Sequence, residues 1–93
     1  MSRCAECIIR DVANEFGVTP VQLRLPDKRR PVSYARFAAY RFLRDEAKLG
    51  VTQIGRIMGY RDHSSVCEGL KKANALLKEN ADFAAAYEKA RQG

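Results

Sequence analysis

Tryptophan is absent from these 93 residues, histidine occurs once, and there are only four Phe and four Tyr. A core must therefore be built from aliphatic side chains and alanine. No apolar stretch approaches the ~18 residues that a membrane span requires. The N-terminal stretch MSRCAECIIRDVA is broken by Glu6 and Asp11, so it lacks the apolar region of a secretion signal. Three cysteines are an odd number and too few for a disulfide scaffold. The expected setting is the reducing cytoplasm, with no membrane partner. No G-x-x-x-x-G-K-[ST] phosphate loop is present, which excludes ATP hydrolysis by that route. Catalysis has little to work with either. Asp62-His63-Ser64-Ser65 contains the letters of a triad, but neighbours on a helix start diverge and cannot relay a proton in line. The expectation is a protein that is not an enzyme and needs no cofactor.

What is present is charge of one sign, unevenly placed. The chain carries +6 at neutral pH, and its length suits one domain with one core and one binding face. Between residues 24 and 61, Lys and Arg outnumber Asp and Glu ten to three, a surplus of +7 against −1 before it and 0 after it. Eight of those ten cations are arginine, the side chain best shaped for phosphate and base-edge recognition. An anionic partner follows as an expectation, although a basic solvated face has the same composition.

Periodicity is helical throughout, with no alternating strand, repeat or linker. Ile8, Val12 and Phe16, with Ile9 and Ala13 beside them, predict a first helix stopped by Gly17. Thr19-Pro20-Val21-Gln22 reads as a capping box with proline at the first helical position, and Val18 and Leu23 can close a staple across it. A cation-rich loop between Pro26 and Pro31 follows. Ser33 is expected to cap a helix reaching about Leu49, with Ala35, Ala38, Ala39, Phe42 and Leu43 inward and Arg36, Arg44 and Lys48 outward. Thr52 should open a short helix closed by Gly59. Asp62 should cap the next one, whose inward stripe is Val66, Leu70, Ala73 and Leu77. Phe83, Ala84, Tyr87 and Ala90 make the last. The fold class is all-α, with about six helices in one domain covering residues 1–93.

Two helices joined by a short glycine-containing turn form a helix-turn-helix unit, and the second helix of such a unit enters the major groove with its N-terminal residues against the bases. Here that N-terminus is Asp62-His63-Ser64-Ser65. Aspartate accepts from a cytosine amino group, serine donates or accepts, and histidine can use either ring nitrogen. Plain N-capping by Asp62 is the simpler alternative.

The stretch Ile54-Gly55-Arg56-Ile57-Met58-Gly59-Tyr60-Arg61-Asp62-His63-Ser64-Ser65-Val66 resembles the signature I-G-x-x-F-G-x-R-D-H-T-T-V of the C-terminal DNA-binding domain of bacterial DnaA initiators. The likeness extends through Phe16-Gly17-Val18, Lys28-Arg29-Arg30, Ala35-Arg36 and Phe42-Leu43-Arg44-Asp45, over about residues 8–78. It implies a Trp-repressor-like helix-turn-helix domain that binds double-stranded DNA as a monomer at an asymmetric element, the DnaA box, in replication initiation or its regulation. It further implies base reading by Asp62, His63, Ser64 and Ser65, with Arg29 or Arg30 in the minor groove and Arg44 facing DNA. Arg36 and Arg61 would hold phosphates, with Lys28, Lys48 and Lys71 beside them.

The likeness has departures. Ser64 and Ser65 stand where the family has threonine, whose methyl packs on thymine. The basic loop is about one residue shorter and carries Pro31. With no ATP-binding loop in the sequence, a stand-alone DNA reader is expected, alone or with a replication partner. The other classes left open are a transcriptional regulator with a different element and a module gripping an acidic protein partner. Cys4 and Cys7 with His63 and Cys67 have the ligand types of a zinc site, but the long spacing argues against it, and Cys67 reads more simply as an inward residue beside Val66. Cys4-Ala5-Glu6-Cys7 as a thioredoxin-like motif lacks the surrounding βαβ pattern.

Overall fold

The alanines of the middle helix are what allow the helices to come close. In a computed structural model, which describes residues 4–25, 29–59 and 62–92, the chain forms α1 (Ala5–Phe16), α2 (Pro20–Arg24), α3 (Val32–Asp45), α4 (Val51–Ile57), α5 (His63–Glu79) and α6 (Ala81–Gln92). No strand occurs among the described residues. α3 packs against each of the other five helices. Ala35, Ala38 and Ala39 are fully buried in it, surrounded by Ile8, Val12, Leu23, Leu43, Ile54, Met58 and Val66.

Several boundaries follow from local chemistry. Gly17 adopts φ 72° and its turn lets the Val18 amide donate to Ala13 O, the left-handed stop that glycine makes inexpensive. The Thr19 hydroxyl accepts from Gln22 N, and the Gln22 side chain accepts from Thr19 N. That is the reciprocal box expected of the sequence. Leu23 is buried and Val18 packs against the core.

Three boundaries differ from expectation. α3 starts one residue before Ser33 with Pro31 at the cap, so Ser33 lies inside the first turn. It ends at Asp45 rather than Leu49 because Lys48 takes φ 59°, and around that left-handed residue the Leu49 amide donates to Leu43 O at 3.1 Å. α4 likewise starts at Val51, one residue ahead of Thr52, with Gly50 at the cap and its amide donating to Gln53 Oε1 at 3.0 Å.

One cluster locks α5 and α6 onto α3. Arg41 donates through Nε to Asn74 Oδ1 and through a terminal nitrogen to the Tyr87 hydroxyl, both at 2.8 Å. The Tyr87 ring stacks on Phe42 with centroids 4.1 Å apart. Asn80 ends α5 and accepts from Phe83 N, so one side chain closes one helix and opens the next. The orientation of α5 is set from both ends.

Candidate nucleic-acid interface

The turn between α4 and α5 is built on α2. Met58, fully buried, ends α4. Gly59 follows with φ 92° and lies against the backbone of Arg24, where a β-carbon would overlap the carbonyl oxygen. The Arg24 side chain completes the joint: Nε donates to Ile57 O at 3.2 Å, and a terminal nitrogen meets Glu6 of α1 at 3.2 Å. Tyr60 and Arg61 lie outside the described residues, so the phosphate role expected of Arg61 stays with the sequence. Lys28 is in the same position.

Asp62 then caps α5, its Oδ1 accepting from Ser65 N at 3.0 Å. Behind that cap Val66 is fully buried, and Gly69 sits under the Tyr40 ring, close enough that a β-carbon would overlap it. With Val66 and Gly69 turned inward, Asp62, His63, Ser64 and Ser65 are all exposed. The four residues expected to read bases thus share one outward first turn of a 17-residue helix. The amides at this helix start carry the partial positive charge that favours a nearby anion.

Cations line the sides of α5. Arg44 and Lys71 line one shallow depression of about 360 Å³ between α3 and α5, together with Arg41, Asp45 and Cys67. Lys48 adjoins Arg44 beyond the end of α3. On the other flank, Ser65 and Lys72 face Ser33 and Phe37, with the Lys72 ammonium 5.5 Å from the Phe37 ring centroid. Arg29 is exposed, and its carbonyl accepts from Ser33 N at 2.9 Å. Arg30 is also exposed, but its guanidinium lies 4.9 Å over the Tyr34 ring in a depression shared with Glu15 and Asp82. The structure thus draws Arg30 toward α1 and α6, away from the first turn of α5.

Two expectations need correction. Arg36 does not face outward for a phosphate. It is 5% exposed, with Nε donating to Leu23 O at 3.1 Å and a terminal nitrogen donating to Leu25 O at 2.6 Å. Leu23 lies in the last turn of α2 and Leu25 is its C-cap, so the guanidinium acts as an internal cap joining α2 to α3. Cys67 is not inward but exposed, because Val66 and Gly69 take the buried side. Its place is in the same depression as Arg44 and Lys71. His63, Cys67 and Lys71 stand at i, i+4 and i+8, a helical stripe visible in the sequence that the apolar reading of Cys67 obscured. Lys72 was missed for want of any signal beyond its charge. The four side chains of the zinc set do not converge either: among the described residues no group of three or more His, Cys, Asp or Glu could hold a metal.

A short helix, a glycine turn and a capped, exposed second helix with cations along its sides make this a helix-turn-helix domain, the class that presents its second helix to DNA. The model of the bacterial DnaA protein helix-turn-helix matches residues 5–73. The chain belongs to that family. It is 32% identical over 78 residues to the chromosomal replication initiator protein DnaA of Nautilia profundicola, covering 84% of this chain and 18% of that protein. With the protein of the same name from Chloroflexus aggregans it shares 35% over 68 residues, 73% of this chain and 14% of the relative. The Thermus thermophilus protein is 29% identical over 75 residues, with 81% and 17% covered. The chain therefore spans less than a fifth of the length of these curated relatives.

Proposed function

We propose that this chain reads double-stranded DNA with sequence preference, at an element like the DnaA box, in replication initiation or its control and without hydrolysing ATP. The observation that carries the reading is the exposed turn Asp62–Ser65 at the start of α5, braced from behind by Gly59 on Arg24 and by Gly69 on Tyr40. In the major groove, Asp62 spends one carboxylate oxygen on its own helix and keeps the other for a cytosine amino group. His63 and Ser64 reach base edges, and Ser65 holds a base or the backbone. Arg44, Lys48 and Lys71 neutralise phosphates along the flank, supplying affinity that does not depend on sequence. Arg29, with Arg30 once it leaves Tyr34, reaches the minor groove. The names of the relatives support the replication role, and one domain engages one asymmetric site as a monomer. Serine at positions 64 and 65 lacks the methyl that packs on thymine, so discrimination for thymine is weaker there.

A selection of bound duplexes from a random pool tests this reading, followed by titration of the winner and of a random duplex. The wild type favours the winner, and log K against log[salt] falls by about 0.9 for each neutralised phosphate. His63→Ala lowers affinity for the winner by about 1–3 kcal/mol and leaves the random duplex nearly unchanged. Equal losses on both duplexes, or a response flat in salt, would overturn the assignment and favour an acidic protein partner.

A further inference from the structure

The cysteine pair at the start of α1 plays no part in the DNA face, and its geometry has a chemistry of its own. Cys4 is the N-cap of α1 and Cys7 lies one turn on, with the two thiols hydrogen-bonded at Sγ···Sγ 3.3 Å. Cys4 is exposed and Cys7 half-buried. A disulfide needs the sulfurs at about 2.05 Å and the α-carbons within about 7 Å. Cα atoms three residues apart on one helical turn meet the second condition, and the sulfurs need only a small side-chain rotation to meet the first.

From this arrangement we infer that Cys4 and Cys7 form a reversible dithiol–disulfide site, which closes by exchange with a low-molecular-weight disulfide such as oxidised glutathione. Cys4 is the attacking thiol. It is the more accessible, and the neighbouring Cys7 backbone N–H and thiol hold its pKa below the ordinary thiol value. Cys7 is held above that value, chiefly by its hydrogen bond and charge interaction with Cys4, and serves as the resolving thiol. The Cys4 thiolate displaces one glutathione thiolate and forms a mixed disulfide. The Cys7 thiolate then attacks Cys4 Sγ and expels the second glutathione. Two protein thiols lose two protons and two electrons, and one oxidised glutathione becomes two reduced ones.

The closed pair staples the turn that carries Glu6, the partner of Arg24, which in turn holds Ile57 O at the end of α4. Cys67, alone on α5 among the described residues, has no resolving partner and stops at the mixed disulfide. The site does not depend on the DNA-reading proposal.

The experiment equilibrates the folded Cys67→Ser protein with glutathione buffers of increasing oxidised fraction, quenches with acid and measures intact mass and peptide maps. The expected product has lost two hydrogens, carries no glutathione, and shows a Cys4–Cys7 cross-linked peptide that a thiol reductant opens. Cys67→Ser/Cys7→Ser should instead accumulate glutathione on Cys4, at a rate above that of Cys67 in a Cys4→Ser/Cys7→Ser protein. A Cys67→Ser protein that keeps glutathione on Cys4 or Cys7 without closing would overturn the proposal, as would one that stays fully reduced in buffer that glutathionylates Cys67.

Discussion

Gly59 places its α-carbon against the carbonyl of Arg24, so closely that a β-carbon would overlap the oxygen. Its φ of 92° lies in the region that costs an L-residue about 1–2 kcal/mol. Gly17 has φ 72° but open space around it, so it shares the backbone cost without the collision. Gly59→Ala should lower the urea midpoint clearly more than Gly17→Ala, and it alone should weaken duplex binding, because displacing the turn displaces the start of α5. Equal effects of the two substitutions on both measurements would contradict the packing argument.

Arg36 and Arg44 sit on one helix and should behave oppositely. Arg36→Ala leaves Leu23 O and Leu25 O without the guanidinium that caps them, and losing hydrogen bonds from a charged donor costs on the order of 2–3 kcal/mol. Urea unfolding should show that loss. Arg44 is exposed, so Arg44→Ala should leave the midpoint unchanged and reduce the salt slope of DNA binding by about 1.

Asp62 has two roles that substitution can separate. Asp62→Ala removes the acceptor for Ser65 N and should destabilise the fold by about 0.5–2 kcal/mol, as the loss of a helix cap does. Asp62→Asn keeps an oxygen for the cap and should remain near wild-type stability, while its preference at the contacted base pair changes. An Asn variant with unaltered selectivity would reduce Asp62 to a cap.

Lys48 holds φ 59° at the end of α3, a strained position next to Arg44. Glycine relieves that strain, so Lys48→Gly should be about 1 kcal/mol more stable than Lys48→Ala. Both variants should lose one unit of charge toward DNA and the same affinity for any duplex. A more stable alanine variant would mean that the left-handed turn is absent in solution.

Tyr87 gives a pH dependence. Burial raises its phenol pKa, partly offset by the Arg41 hydrogen bond. Above about pH 10 the unfolded chain releases this proton while the folded chain keeps it. The contribution is therefore fully present below the unfolded pKa and is lost as pH rises through the higher folded value. Between neutral pH and that alkaline range, the urea midpoint of wild type should fall more steeply than that of Tyr87→Phe. Parallel curves would argue against a buried Tyr87.

Much of this could be read along the chain because it rests on contacts between near neighbours. The Thr19–Gln22 box, the Gly17 stop and the Asp62 cap each join residues within a few positions, so residue type and spacing suffice. The alanine stripe of α3 was equally legible as a helical period. Arg36 was misread because a periodic pattern leaves that side of the helix open, whereas the end of α2 covers α3 at Arg36. Cys67 was misread for the converse reason: a small apolar residue beside Val66 looks inward until Gly69 under Tyr40 shows which side of α5 is covered. Arg24 gave no local sign at all, since its partners Glu6 and Ile57 are far away along the chain.

The sequence by itself determined six helices, the Gly17 stop, the caps of α2 and α5, the family and the exposed turn from Asp62 to Ser65, because backbone capping and helical periodicity act over a few residues. Tertiary structure alone decided that Arg36 supports α2 from inside, that Arg30 stacks on Tyr34, and that Cys67 joins Arg44 and Lys71 at the surface. Those outcomes depend on which helix covers which flank, and that is settled by packing between segments distant in the chain.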